Sequence, residues 1–359
     1  MKEAHVHADT SVTLHDVSIP TINHPSQILI KVIATSCNPK DWKMATGSLM
    51  TISACPNSGD DIAGIIEAIG GDVHDFKVGD RVAALHELGA PHGAYAEYAI
   101  VYSWTTFPLD KDTSFEQGAT VPMAALMASM GLFAMLRVKT APWSPSTNDT
   151  LLVYGAASSV GSAVVRQAQV ADIHPLICVA GHGIAFVETL IDSSRGDVIV
   201  DYRNGPDEVS KQIEKALGGR KLKFVFDAIS EKQSHHNFAK LLDPATAKVT
   251  FVLGGHRDDI LDGVQQSTTM VGSLWKVLNP IGERDRLGMR SGGKDFGFAY
   301  SRLIGWWLQQ KKLDIHPYEV IDGGLMGLET ALKRLRSGVS SATKFVIRVT
   351  ETPGIKSSE

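Results

Sequence analysis

Four residues in the first part of the chain have the types that could bind a metal ion: Cys37, Asp41, Asp60 and Asp61. Thiolates and carboxylates are zinc ligands, and His86, Glu87 and His92 could add more nitrogen and oxygen atoms. Their spacing is not that of a paired metal-ligand motif, and Lys43 would compete for the carboxylates. We therefore expect no metal here, against the alternative of an oxygen-rich site, and we interpret Cys37 as a small buried apolar residue.

A second candidate site is the segment LLVYGAASSVGSAVV, in which an apolar run leads through small residues into a helical pattern. Phosphate binding needs backbone N–H groups close to the anion and a helix N-terminus that faces it. Gly155 and Gly161 frame the turn, and a serine hydroxyl could donate to phosphate or cap the helix. We predict a dinucleotide-binding loop, with a plain strand–helix turn as the alternative. Its residues are Gly155, Ala156, Ala157, Ser158, Ser159 and Val160.

The end of the next apolar run bears on the choice of dinucleotide. A carboxylate there would bind the ribose 2′-hydroxyl of NAD, but the run ends in VAGHG. A 2′-phosphate is therefore tolerated, and His182, Tyr202 or Arg203 could hold it. His182 could equally be a solvated loop residue. The sequence thus favours NADPH over NADH.

Five apolar runs must position this loop, and they alternate with helix-like segments. Continuous apolar strands of this kind are typical of a parallel sheet covered by helices. The runs are TLLVYG (150–155), PLICVA (175–180), DVIVDY (197–202), KFVFDAI (223–229) and KVTFVLGG (248–255). The pattern predicts a doubly wound α/β domain of the Rossmann type.

Residues 1–110 follow a different rhythm, with strand-like runs cut by Gly, Pro and Asp turns and no helical pattern between them. This predicts an antiparallel, barrel-like domain. The run KFVIRV (344–349) follows the helical pattern ETALKRLRSG and could return to that domain as one more strand. We expect one domain over 1–123 and 300–359, and the nucleotide-binding domain over 124–299.

Composition excludes several classes of function. The chain has 359 residues, a net charge of −4 and three scattered cysteines. Neither a signal peptide nor a membrane-spanning run is visible, and no basic cluster suits nucleic acid. We expect a soluble, cytoplasmic protein that acts on a small molecule.

This order of parts resembles the medium-chain dehydrogenase/reductase superfamily, whose first domain is GroES-like. The motif N-P-x-D-x-K-M, from Asn38 to Met44, is similar to that of its zinc-independent branch of quinone oxidoreductases and enoyl reductases. That branch includes the trans-acting enoyl reductases of fungal polyketide synthases. Asn38 and Asp60 stand where zinc enzymes of the superfamily have a ligand cysteine and a ligand histidine. No cysteine lies between Cys55 and Cys178, so the resemblance implies neither a catalytic nor a structural zinc.

The resemblance also implies roles for individual residues in cofactor binding. Tyr202 would contact the 2′-phosphate, the turn Leu253-Gly254-Gly255 would line the nicotinamide, and Lys344 would lie close to the cofactor. One residue departs from the family pattern, because Met127 has no hydroxyl for the nicotinamide ribose.

Without zinc, reduction of a simple ketone lacks its main electrophile. Hydride transfer to an activated C=C bond or to a quinone spreads the charge over an enolate or hydroquinone anion, which a few hydrogen-bond donors can stabilise. We predict Lys43 as this donor and Asn38 as an orienting amide, with solvent as the source of the second proton. The alternative for Lys43 is a structural role on an exposed helix.

The segment 271–300 is Gly-rich, interrupts the α/β rhythm and carries Trp275, Phe296 and Phe298. Long irregular segments of this kind are often substrate loops, so we expect it to cover the substrate; part of it could instead be an oligomer contact. We assign Trp306 and Trp307 to core packing, and His235 and His236 to the solvated face of a polar helix.

The sequence therefore predicts an NADPH-dependent, zinc-independent reductase of an enone, an enoyl thioester or a quinone, in fungal secondary metabolism. A zinc-free carbonyl reductase and a non-catalytic NADPH-binding protein are the alternatives. The natural substrate, whether it is free or carrier-bound, and the choice between monomer and homodimer stay open.

Overall fold

The structure, a computed structural model, describes residues 1–49, 55–146, 148–231, 233–275 and 293–355. The chain divides into two compact units. The first comprises Met1–Met123, Lys294–Lys311 and Ile315–Glu359, and the second comprises Ala124–Gly293 and Lys312–Asp314. Residues 294–299 group with the first unit, six residues before the boundary expected at 300, because a helix begins at Lys294.

The first unit is built on a hairpin and a seven-stranded, largely antiparallel sheet. The hairpin strands are β1 (Lys2–Val6) and β2 (Val12–Asp16). The sheet strands are β3 (Gln27–Ser36), β4 (Asp61–Ile69), β5 (Arg81–Leu85), β6 (Tyr98–Tyr102), β7 (Thr106–Pro108), β14 (Tyr318–Val320) and β15 (Lys344–Arg348). Their order is β14-β15-β3-β4-β5-β7, with β6 paired to β3. The last strand, β15, returns to pair antiparallel with β3.

The first unit also contains helices: α1 (Pro39–Ala45), α2 (Phe115–Ala119), α7 (Lys294–Gln309) and α8 (Leu328–Ser337). The sequence predicted α8 from the pattern ETALKRLRSG, but it predicted no helix among the N-terminal strands, where α1 lies. Helix α1 has seven residues, too few to show a helical repeat. Pro39 is preorganised for the first helical position, and the Asp41 carboxylate accepts the N–H of Asn38 at 2.7 Å.

The second unit carries the parallel sheet. Its strands are β8 (Leu151–Tyr154), β9 (Leu176–Ala180), β10 (Val198–Asp201), β11 (Phe224–Asp227), β12 (Lys248–Phe251) and β13 (Gln265–Thr268). The order is β10-β9-β8-β11-β12-β13, that of a doubly wound fold. The five apolar runs became β8 to β12. The edge strand β13 was missed because its sequence, QQST, is polar.

Helices connect these strands. They are α4 (Ser159–Val170), α5 (Ile184–Glu188) and α6 (Pro206–Leu217), and α6 ends at Gly218, which has the left-handed conformation that favours glycine. Helix α3 (Pro122–Ser129) begins at the end of the first unit's N-terminal part.

Each unit has its own apolar core. Ile30, Ile62 and Phe345 belong to the core of the first unit, and Val225 and Phe251 to that of the second. Among the described residues, no helix combines the length and the apolar character that a bilayer crossing requires.

Candidate active site

The carboxylate of Asp61, fully buried at the start of β4, organises one end of helix α1. It accepts hydrogen bonds from the Met123 N–H at 2.7 Å and from Asn38 Nδ2 at 2.8 Å. Its ion-pair partner is Lys344, whose Nζ lies 2.9 Å away and also donates to Asn38 Oδ1 at 2.7 Å. Both ends of the Asn38 amide are therefore held by this buried ion pair.

A second buried cluster surrounds the ammonium of Lys40, one residue after Pro39. Lys40 Nζ lies 2.8 Å from Asp41 Oδ1 and 2.5 Å from Asp60 Oδ2, and it donates to the Ser58 carbonyl at 2.5 Å. The sequence analysis named Lys43 as the competitor for these carboxylates, and the structure places Lys40 against them. The position of Lys40 on α1 directs it into the cluster, which the sequence alone could not distinguish.

Two further side chains complete the Lys40 cluster. The hydroxyl of Tyr95 donates to Asp41 Oδ2 at 2.5 Å, and His86 Nδ1 lies 2.8 Å from Asp60 Oδ1. Burial opposes ionisation of Asp60, but Lys40 and His86 outweigh it and hold the pKa of Asp60 below its ordinary value. Burial raises the pKa of Asp41, which Lys40 offsets only in part. Lys40 therefore acts first as the counter-ion of Asp60.

These contacts bear on the metal-ligand question raised by the sequence. Asp60 and Asp61 each already have a lysine counter-ion. Burial raises the pKa of Cys37 to about 12, so its thiol is protonated at neutral pH and is a poor metal ligand. The potential metal ligands around α1 therefore do not fit a zinc ion. They support the prediction of a reaction without zinc, which remains a prediction.

Lys43 is partly exposed, as is Lys40, whereas Lys344 is buried. The side chains of Lys40 and Lys344 are 12% and 2% exposed, and each pairs with a buried carboxylate. The Lys43 ammonium lies 5.5 Å from the centre of the Trp42 ring, within the range of a cation–π contact.

The turn before helix α4 has the form of an anion-binding loop. Ser158 caps the helix, because its Oγ accepts the Gly161 N–H at 3.0 Å. Helix geometry leaves the N–H groups of Ser159 and Val160, in the first turn, without acceptors in the helix. Gly155 has φ of +79°, and a Cβ at Gly161 would overlap the Gly155 carbonyl oxygen. The close turn and the helix N-terminus therefore fit a pyrophosphate.

The residues expected to hold a 2′-phosphate lie at the ends of β9 and β10. The Tyr202 ring, 44% exposed, covers Gly181 so closely that a Cβ on this glycine would overlap it. His182 is exposed. Arg203 Nε donates to Asp201 Oδ1 at 2.9 Å, and this contact lowers the pKa of Asp201 to about 2. The guanidinium of Arg203 is thus already engaged by a carboxylate.

The Leu253–Gly255 turn after β12 is held by a residue that the sequence analysis missed. Arg257 donates to the carbonyl oxygens of Leu253 and Gly254 at 3.3 and 3.4 Å, and it also contacts that of Gly255. Its second terminal nitrogen reaches the Ser230 carbonyl, after β11, at 3.3 Å. A lone arginine after a glycine pair forms no motif, so only its nearness to the turn could have indicated this role.

The proposed substrate segment is only partly irregular. Phe296 and Phe298 lie on the first turns of α7, where Phe296 stacks on Tyr300 at 4.1 Å and Arg302 lies 4.6 Å from the Phe298 ring. The expectation of an irregular segment was therefore wrong for 294–300, which forms the start of helix α7 despite the nearby glycines. Trp275 follows the short helical turn Val271–Leu274. Residues 276–292 lie outside the described residues.

The expectation of core packing is confirmed for Trp307 and was wrong for Trp306. Trp307 is 3% exposed and packs in the core, whereas Trp306 is 47% exposed. Adjacent positions on a helix point about 100° apart, so they seldom share one buried face.

An antiparallel GroES-like domain and a parallel Rossmann-like sheet together define a medium-chain dehydrogenase/reductase. Residues 24–111 match the model of the alcohol dehydrogenase GroES-like domain. The trans-enoyl reductase fsr4 of Gibberella fujikuroi is 38% identical over 333 residues, which cover 91% of this chain and 92% of that protein. The chain belongs to the trans-enoyl reductase branch of this superfamily, and it is an oxidoreductase.

Solved structures show the same fold at low sequence identity. An alcohol dehydrogenase superfamily protein from Novosphingobium aromaticivorans has a TM-score of 0.78 at 20% identity, and the match covers 97% of this chain and 99% of that one. A quinone oxidoreductase from Pseudomonas syringae has a TM-score of 0.73 at 21% identity, with coverage of 96% and 99%.

Proposed function

We propose that this protein is an NADPH-dependent reductase that delivers hydride to an activated C=C bond, in an enone or an enoyl thioester, without zinc. The observation that carries the proposal is the arrangement of lysines around α1. Lys40 and Lys344 pair with buried carboxylates, while Lys43, partly exposed, carries its ammonium beside the Trp42 ring. The chain thus offers a partly exposed ammonium donor on α1 and a set of ligand atoms that does not suit zinc.

The cofactor proposal depends on three segments of the second unit. The N–H groups of Ser159 and Val160 would bind the pyrophosphate. Tyr202, with the exposed His182 beside it, would contact the 2′-phosphate, and the Leu253–Gly255 turn would face the nicotinamide. Bound NADPH supplies the hydride.

Lys43 would act on the substrate carbonyl. When hydride reaches the β-carbon of an enoyl group, negative charge develops on the carbonyl oxygen, and a positioned cation or donor stabilises it more in the transition state than in the ground state. Lys43 supplies such a cation. Asn38, with both ends of its amide held by Lys344 and Asp61, would fix the start of the helix that carries Lys43. We propose that solvent protonates the α-carbon.

The proposed substrate class is inferred from the proteins that this chain resembles. The similar proteins from Gibberella fujikuroi and from Talaromyces variabilis are trans-enoyl reductases. We propose that this chain acts in a fungal biosynthetic pathway on an unsaturated acyl group, free or carried as a thioester. A quinone is a further acceptor that the same delocalised charge would allow.

A panel of acceptors tests the proposal. The purified protein would be treated with chelator and assayed with NADPH, and with NADH as the control, on an enone, an enoyl thioester, a quinone and a simple ketone. We expect saturated carbonyl products and faster turnover with NADPH. Allylic or simple alcohols would contradict the proposal, as would inactivity on every acceptor by protein that still binds NADPH.

A further inference from the structure

Two adjacent histidines and an aspartate converge on one point in the second unit. His235 and His236 lie on the short helical turn Ser234–Asn237, after β11, and Asp259 follows β12. The expected solvated position is found for His236 but not for His235, and the element is a helical turn of only four residues. The turn folds the His235 side chain to 12% exposure, while those of His236 and Asp259 are 44% and 50% exposed.

The contact atoms are the ones that ligate metals. His235 Nε2 lies 2.9 and 3.0 Å from the two oxygens of Asp259, and His236 Nε2 lies 2.6 Å from Oδ2. The two rings stand at 70°, with their centres 4.5 Å apart. One ligand atom from each residue lies within 4.8 Å of the other two, so a single ion could contact all three.

We propose that His235, His236 and Asp259 bind a divalent transition-metal ion, with zinc as the reference case. Two imidazoles and a carboxylate with a solvent-facing fourth position form a common donor set for zinc. Bonds of about 2.0–2.2 Å in a tetrahedral site separate ligand atoms by roughly 3.3 Å, so the observed spacings need only a small expansion. This site belongs to the second unit, whereas the residues around α1 that we find unsuited to zinc belong to the first.

The alternative is that the three residues make only the His–Asp hydrogen bonds seen here. Exposed pairs of this kind contribute little to stability, so an ion that replaces these hydrogen bonds disrupts little. Because the two histidines are adjacent in sequence, a single turn supplies two of the three ligands. The arrangement of the three residues is therefore better suited to metal binding than to these hydrogen bonds alone.

A bound ion would join two turns that are already linked nearby. Asp259 stands two residues after Arg257, which contacts the Leu253–Gly255 turn and the Ser230 carbonyl. The ion would thus add a second cross-link between the turn after β11 and the turn after β12. Slower hydrogen exchange over 229–237 and 253–260 on zinc addition is the expected structural readout.

Direct metal counting tests the site. The full chain would be dialysed against micromolar zinc, and bound metal would be measured by mass spectrometry for the wild type, His236→Ala and Asp259→Asn. His256→Ala, an exposed histidine of the same loop beside Asp258, is the matched control. His15→Ala controls for the stacked pair His5 and His15 on the N-terminal hairpin.

We expect His236→Ala and Asp259→Asn each to bind one zinc ion fewer per chain than the wild type, or to bind it at least tenfold more weakly. The His256 variant should bind as much zinc as the wild type. Any zinc that the His15 variant loses would come from the N-terminal hairpin and not from this site. Circular dichroism would verify that both test variants fold. Zinc binding unchanged in both test variants, or no zinc bound by the wild type, would overturn the proposal.

Discussion

Lys43 is the residue on which the proposed chemistry depends most. Lys43→Met keeps an apolar stem near Trp42 but removes the ammonium. Loss of one transition-state donor typically costs about 100-fold or more in rate, so we expect kcat to fall by about that factor while NADPH affinity is unchanged. Steady-state kinetics and NADPH fluorescence titration would measure both. Lys111→Met, at an exposed loop position, is the control, and equal rates for the two variants would assign Lys43 a structural role.

The ion pair between Lys344 and Asp61 should dominate the stability of the site. Lys344→Met leaves a buried carboxylate without its counter-ion, and such losses cost about 3–5 kcal/mol of unfolding free energy. Asp61→Asn keeps an oxygen acceptor for the Met123 N–H and removes the charge. We therefore expect the double variant to be more stable than Lys344→Met alone in urea unfolding.

A double variant that is destabilised by the sum of the two single effects would contradict this interpretation. Additivity is the usual result for residues that do not interact, so the thermodynamic cycle separates a coupled pair from two independent buried groups.

At the scale of the element, the turn before α4 gives a sharp test of cofactor binding. A Cβ at Gly161 would overlap the Gly155 carbonyl oxygen, so Gly161→Ala must move the loop backbone. We expect NADPH affinity to fall at least tenfold, measured by titration calorimetry. Gly71→Ala is the matched control, since no atom lies within 4 Å of its added Cβ. Unchanged NADPH binding by Gly161→Ala would show that the loop does not hold the phosphates.

The end of β10 offers a second test, because Asp201 engages the arginine nearest the proposed 2′-phosphate. Asp201→Asn removes a negative charge and releases the Arg203 guanidinium. Because the pair is exposed and screened by solvent, the effect should be modest, and the KM for NADPH should fall by up to about fivefold. The KM for NADH, which has no 2′-phosphate, should not change. An equal shift for both cofactors would place this pair away from the phosphate.

Elements with a strong apolar pattern could be predicted, and those without one could not. Strands β8, β9 and β11 are buried along their whole length, and the apolar runs of β8 to β12 predicted all five strands. Strand β13 lies at the edge of the sheet and is polar, and helix α1 is shorter than two full turns. Helix α7 has glycines near its start, so its sequence did not predict a helix there. In each case local composition was outweighed by tertiary packing.

At the scale of the whole molecule, the order of elements was sufficient to predict the fold, but not the pairing of charges at the site. Asn38 and Lys344 are 306 positions apart, and their contact exists only because β15 pairs with β3. Lys40 and Lys43 are likewise indistinguishable by type. Asn38, Lys43 and Lys344 could therefore be named from the sequence. Their partners, and the role of Arg257, follow only from the structure.

The position to which hydride is transferred tests the central claim most directly. NADPH carrying deuterium at the transferred position would be incubated with an α,β-unsaturated thioester and the chelator-treated protein, and the product would be examined by NMR. Conjugate reduction predicts a saturated thioester with deuterium on the β-carbon and a solvent proton on the α-carbon. Deuterium on the former carbonyl carbon, with the C=C bond intact, would contradict it.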